Sequence, residues 1–386
     1  MQSKVLLLLF CSALSGPIVS ARSLMPQVAP REVSLPSAAP SGIPVNDRVL
    51  FRYHPASRPS GEKSPAVVLL HPLGGSGDDR RVDKFARALN RRGIAALALT
   101  LPYHGRRQPP NDASFRHFTG DPDDAGAAER VAQAFAQSAS DVGTVLTWLT
   151  QQPEVDATRI GAAGVSLGAF VLHLVMGRDA RIRAGVAALG AGNLAEIFLH
   201  TRGRKDVKTL RQIETLRSVE PLTYADRNRP RRVLMIQAAR DIVVPPRHAE
   251  QLWQALGRPP IQWADVNHVG LLLSLDSVIE TTIAYLETAW SETPDALSRV
   301  PRVRAVTLKA GLMSGLDTVV TPALQYQFFS LGTRHHMALL HANAGLGFRG
   351  PFVSVAATVN RYIDVGVGRR VFGNDIRPYA SFHIVF

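Results

Sequence analysis

The chain has 386 residues, a formal net charge of +13 and a single cysteine. One cysteine excludes an internal disulfide framework and a thiolate cluster for structural zinc. The positive charge is scattered along the chain rather than gathered in one basic run, which favours an anionic envelope surface such as phospholipid over a nucleic-acid partner.

The opening MQSKVLLLLFCSALSGPIVSA combines Lys4, an apolar run from Val5 to Leu14 and the small-residue site Val19-Ser20-Ala21. Over residues 1–21 this reads as a secretory signal peptide, too short for a spanning helix. It predicts an exported protein of the bacterial periplasm or outer membrane, and cleavage would remove Cys11. Residues 22–44 are rich in Pro, Ser and Ala and read as an extended linker.

From residue 45 to about 295, short apolar runs alternate with amphipathic stretches. Strands are expected at 67–70, 94–99, 159–165, 182–189, 233–238 and 260–266. Helices are expected at 82–89, 125–151, 169–176, 248–256 and 274–286. Near-continuous apolar strands separated by helices predict an α/β fold with a doubly wound, mostly parallel sheet covered on both faces.

Residues 300–386 change character. They contain no Glu, and their apolar period switches to two. Leu324, Tyr326 and Phe328 alternate with Gln325 and Gln327; Val353, Val355 and Ala357 alternate with Ser354 and Thr358. This predicts a separate antiparallel β module of five or six strands.

Gly164-Val165-Ser166-Leu167-Gly168 falls between a strand and a helix. A nucleophile on such a turn sits in a strained backbone conformation, with small residues needed two positions before and after it. A serine hydroxyl needs a base, and the base an orienting carboxylate. Asp241 follows the strand at 233–238 and His268 follows the strand at 260–266, so all three lie beyond strand C-termini, where sheet ligands gather. Asp265 competes as the acid, His248 and His104 compete as the base, and Asp241 could instead cap the helix near Pro246.

These residues resemble the α/β-hydrolase superfamily over about 45–290. The nucleophile elbow and the order Ser166, Asp241, His268 both match. His71-Pro72-Leu73-Gly74-Gly75-Ser76 is similar to the oxyanion loop of family esterases, although Pro72 departs from the glycine-rich pattern. The resemblance implies that the backbone N–H groups of Leu73 and Leu167 receive the oxyanion. It also implies hydrolysis of a carboxylic ester, small-molecule or lipid, through an acyl-enzyme that needs no metal or cofactor. A peptidase or thioesterase on the same triad is the alternative, as is a catalytically inactive envelope-binding protein.

The loop Leu101-Pro102-Tyr103-His104-Gly105-Arg106-Arg107 reads either as a substrate contact through Tyr103 and His104 at the pocket mouth or as a turn set by Pro102 and Gly105. Residues 191–230 form an insertion where this superfamily often carries a lid. The module at 300–386 is similar to the last strands of outer-membrane β-barrels, in its two Gly-x-Gly pairs and the terminal Phe386. Five or six strands are too few to match single-chain barrels. A membrane-inserted module would therefore have to close as an oligomer, and the soluble alternative is a small β-sandwich.

Overall fold

The computed structural model describes residues 28–386 apart from 57–60, 111, 113, 120–123, 125, 201–212, 292–299, 315–319, 333–336, 348–349, 361–362, 374 and 386. The expected signal peptide at 1–21, residues 201–212 of the 191–230 insertion and Phe386 lie outside the described residues.

The first part is built from β1 (Arg31–Pro36), β2 (Arg48–His54), β3 (Ser64–Leu70), α1 (Arg80–Asn90), β4 (Ala95–Thr100), α2 (Ser114–Thr119), α3 (Ala127–Thr150), β5 (Val155–Val165) and α4 (Leu167–Met176). It continues through β6 (Ala184–Ala188), α5 (Leu194–His200), α6 (Ala225–Asn228), β7 (Arg232–Ala238), α7 (Pro246–Ala255), β8 (Ile261–Ala264), α8 (His268–Leu273) and α9 (Leu275–Trp290). Eight strands form one sheet in the order β1-β2-β4-β3-β5-β6-β7-β8. The pairs β1–β2 and β2–β4 are antiparallel, and the remaining pairs are parallel.

Alternation within each buried strand feeds both faces. Val68 and Leu97 join α3 and α4 in one core layer, whereas Val67, Val186 and Leu234 meet Phe85 and Leu89 of α1 and Ile283 and Leu286 of α9 in the other. Burying each such aliphatic or aromatic side chain stabilises the fold by roughly 1.5–3 kcal/mol. The doubly wound, mostly parallel sheet is as the sequence predicts.

The linker at 22–44 needs correction. Residues 31–36 are the edge strand β1, registered Arg31 to Tyr53 through Pro36 to Arg48 on β2. An edge strand pairs on one side only and tolerates proline at its end, so its composition resembles that of a linker.

The C-terminal module comprises β9 (Val306–Ser314), β10 (Val320–Gly332), β11 (Met337–Gly347), β12 (Gly350–Asn360), β13 (Ile363–Arg370) and β14 (Arg377–Val385). All pairs are antiparallel, and β9 pairs with both β10 and β14, closing the sheet into a barrel within one chain. This corrects both expectations for the module: closure needs no second copy, and there is no sandwich. The inward side chains fill so narrow a barrel that Gly366 has no room for one. A Cβ on Gly366 would lie 2.3 Å from the Val355 carbonyl oxygen and 2.5 Å from Ala356 Cβ.

Candidate active site

Ser166 joins β5 to α4 with φ 51° and ψ −113°, a region that non-glycine residues avoid. Its conformation is held from both sides. The Ser166 N–H donates to the Ala188 carbonyl at 2.8 Å, and the Ser166 carbonyl accepts from Ala169 N at 2.8 Å. The flanking glycines are there for space. A Cβ at Gly164 would lie 2.2 Å from the Gly168 carbonyl oxygen, and one at Gly168 would lie 2.2 Å from that of Leu70. Helix α4 therefore starts directly against the end of β3.

Asp241 lies in the turn after β7. One carboxylate oxygen accepts from the amides of Val243 and Val244, each at 2.8 Å. The other accepts from His268 Nδ1 at 2.7 Å. Opposite, His268 Nε2 is 3.1 Å from Ser166 Oγ and is placed to accept its proton. All three side chains are buried. His268 is the first residue of α8, a helix capped by Asn267 Oδ1 accepting from Gly270 N at 2.8 Å, where the sequence suggests a loop.

The competing candidates are otherwise engaged. Asp265 forms a two-pronged ion pair with Arg240 at 2.7 and 2.8 Å. The Arg240 N–H in turn donates to the Val266 carbonyl at 3.0 Å. This clamp stitches the turn that carries Asp241 to the segment just before His268. It is a positioning feature that sequence reasoning missed, because nothing in the local pattern links residues 25 positions apart. His248 is fully buried on α7 and faces Gln251 Oε1 at 3.2 Å.

Leu167 is the first residue of α4, where a helical N–H has no partner inside its own helix. Leu73 lies in the turn after β3, which is closed by Gly75 N donating to the Pro72 carbonyl at 2.9 Å. His71 fixes this turn. Its Nε2 accepts from Leu101 N at 3.0 Å and its Nδ1 donates to the Pro72 carbonyl at 2.8 Å, so the ring is neutral.

Tyr103 and His104 require correction as pocket-mouth contacts, because both are buried. A φ of 59° turns Tyr103 inward, where its ring stacks on His117 with centroids 3.6 Å apart. His104 donates from Nδ1 to the Pro102 carbonyl at 2.8 Å and packs edge-on against His71. Arg107 is fully buried in an ion pair with Asp141 at 2.7 Å. Of the expected insertion, the described part is pinned by Glu220, whose carboxylate accepts from the amides of Asn193 and Leu194.

Burial pushes His71 down to about 3 and both His104 and His173 down to about 4, and the Asp78 carboxylate near His71 offsets only a small part of that. Their folded values lie below the unfolded value of about 6.5, so the unfolded chain takes up protons first. Stability is therefore fully present above about pH 6.5 and falls as pH drops toward 4, by about 1.4 kcal/mol per pH unit for each ring. Thermal unfolding followed from pH 7 to 4.5 should show this slope, and His173→Leu should make it shallower. An unchanged slope in His173→Leu would exclude that ring as a contributor.

Comparison with known proteins fits this geometry. The Prolyl oligopeptidase family model matches residues 133–269, a stretch that contains Ser166, Asp241 and His268. An uncharacterized Escherichia coli K12 protein, YcjY, is 23% identical over 228 residues, covering 59% of this chain and 68% of its own. The crystal structure of TT1662 from Thermus thermophilus superposes with a TM-score of 0.50 at 19% identity, covering 69% of this chain and all of that one. A Pyrococcus horikoshii acylaminoacyl peptidase gives 0.53 at 15% identity, with 71% of this chain covered but only 44% of the peptidase. This is a serine-hydrolase-like chain with the α/β-hydrolase fold. The turn carrying Asp241 and helix α8, which begins at His268, leave large apolar side chains in the open: Ile242 is 83% exposed and Leu273 71%, with Val243 and Val269 beside them.

Proposed function

We propose that this chain is an exported serine hydrolase that cleaves carboxylic esters through an acyl-enzyme. The observation that carries the reading is the unbroken relay Ser166 Oγ, His268 Nε2, His268 Nδ1, Asp241 Oδ2, with steps of 3.1 and 2.7 Å. Ser166 Oγ attacks the ester carbonyl carbon while His268 removes its proton. The oxyanion of the tetrahedral intermediate is received by the N–H groups of Leu167 and Leu73. The first of these opens α4, whose dipole favours negative charge there. Collapse expels the alcohol, protonated by His268, and leaves Ser166 acylated. Water deprotonated by His268 then releases the acid. Asp241 holds the tautomer and stabilises the imidazolium, and its own orientation is fixed by the two amides on its other oxygen.

The apolar rim of Ile242, Val243, Val269 and Leu273 supports an apolar acyl group as the recognised part. A second reading, a peptidase on the same triad, draws on the prolyl oligopeptidase match. Export rests on the charged, apolar and small-residue succession of residues 1–21, and it predicts a mature chain beginning at Arg22.

A fluorophosphonate probe should label the purified protein on Ser166, and tryptic mapping should place the adduct there. Parallel assays on p-nitrophenyl esters, acyl thioesters and peptide amides should show the ester turned over fastest. Absence of labelling would defeat the serine mechanism. Labelling with amides preferred would favour the peptidase reading.

A further inference from the structure

The C-terminal barrel has its polarity reversed relative to a water-soluble barrel. Inward positions carry a connected polar network. Asn343 Nδ2 donates to Ser354 Oγ at 3.1 Å and to Tyr379 OH at 3.2 Å, and Ser354 and Tyr379 are 2.9 Å apart. Next to them, Thr358 donates to Asp364 at 2.9 Å, and the Asp364 carboxylate lies 3.1 Å from His341 Nε2, with both side chains fully buried. Outward positions are the opposite. Leu324, Leu346 and Val367 are 54, 60 and 52% exposed. Among the described residues, no charged side chain occupies the outward positions 340–346, 353–357 or 363–367.

Such a belt fits water poorly, because apolar side chains exposed side by side on neighbouring strands are what soluble chains avoid. A bilayer meets each condition. Five of the six strands have 9 to 13 residues, enough for the ~9–11 that a tilted transmembrane strand requires, and β13, with 8, is one residue shorter. Closure of β9 on both β10 and β14 leaves no unpaired edge to be desolvated in hydrocarbon. The polar interior is packed by its own side chains, as so few strands must be.

The barrel root is also tied to the catalytic edge. Val306 N, at the start of β9, donates to Ser274 Oγ at 3.0 Å, directly after α8, the helix that carries His268. Gln327 Nε2 of β10 donates to the Asp265 carbonyl at 3.0 Å. The exposed apolar rim residues Val269 and Leu273 stand on that same helix. We propose that residues 306–385 form a bilayer-inserted barrel whose outer belt is covered by lipid acyl chains. The barrel holds the Ser166 edge against the membrane surface, where it takes acyl esters presented by the bilayer. The second half of this inference rests on the ester-hydrolase reading; the first does not.

The test uses the full chain with Cys11→Ser, reconstituted into phosphatidylcholine–phosphatidylglycerol vesicles. An environment-sensitive fluorophore is attached at Val365→Cys, at Val367→Cys or, as a hydrolase-surface control, at Arg91→Cys. The two barrel probes should shift to shorter wavelength, resist aqueous iodide and be quenched by spin-labelled acyl chains, while the control stays accessible to iodide. Iodide access at both barrel positions in floated vesicles would overturn insertion. So would shielding of those probes in a lipid-free dimer, which would make a second copy the cover.

For presentation, Leu273→Asp should reduce the ratio of vesicle-borne to soluble ester turnover by roughly tenfold. An unchanged ratio would overturn that half. A chain that inserts yet labels with no fluorophosphonate and hydrolyses neither ester would sink the hydrolase reading and leave the anchor standing.

Discussion

Replacing Ser166 with alanine is expected to lower kcat for a p-nitrophenyl ester by roughly 10⁴–10⁶, with thermal unfolding almost unchanged. The lost atom is the proposed nucleophile, and its one partner in the relay is His268 Nε2 at 3.1 Å. Asp241→Asn should cost about 10⁴, because an amide nitrogen can no longer accept from Nδ1 and the wrong imidazole tautomer then faces Ser166. The two effects should not add. Once the nucleophile is gone, the imidazole tautomer that Asp241 holds no longer matters, so Ser166→Ala with Asp241→Asn should match Ser166→Ala alone. Steady-state kinetics on the three purified variants decides this. Turnover of Ser166→Ala within tenfold of the parent would mean that the ester is attacked by another group.

The parts of the fold legible in the sequence are those with local causes. Buried strands such as β3 and β4 are unbroken apolar runs flanked by helices whose apolar residues recur every three or four positions. Ser166 stands out because steric crowding at its turn restricts positions 164 and 168 to residues without a Cβ, and that restriction is printed in the sequence as Gly-x-Ser-x-Gly. Asp241 and His268 follow because each lies just beyond a recognisable strand, at the sheet edge that Ser166 occupies.

What escaped depends on contacts between distant residues. Strand β1 looks like a linker because half of its hydrogen bonding and most of its side chains face outward. Tyr103 and His104 read either as pocket-mouth contacts or as part of a turn, since no local pattern foretells the positive φ at Tyr103. Alternation marked the six strands of the barrel, but closure turns on β9 meeting β14, a pairing between segments about 70 residues apart. The Asp265–Arg240 clamp was invisible for the same reason, and Asp265 read as a rival acid.

Asp141→Ala should be the most destabilising single change in the hydrolase domain, by about 3–5 kcal/mol. Asp141 lies in the middle of α3 with no exposed surface. It accepts from Arg107 Nη2 at 2.7 Å on one oxygen and from Ser37 Oγ at 2.6 Å on the other. Arg107 is equally buried, and three of its other N–H groups donate to the carbonyls of Asn46 and Thr100. Burial works against both charges, and their mutual attraction offsets it. Removing the carboxylate leaves a guanidinium that cannot shed its proton and has no counter-charge. In a domain of this size the loss should lower Tm by roughly 10 °C.

Adding Arg107→Met to Asp141→Ala should recover part of that loss. The unpaired charge disappears, and what remains is the cost of two backbone carbonyls without donors, about 1–3 kcal/mol each. A double variant less stable than Asp141→Ala would show that Arg107 contributes chiefly through its carbonyl bonds rather than as a charge needing a partner. The consequence reaches the site, because Arg107 anchors the end of the loop whose first residue, Leu101, donates to His71, and His71 in turn holds the Leu73 turn. Ester turnover in Asp141→Ala should therefore fail at a lower temperature than global unfolding, with the oxyanion side of the site loosening before the core does.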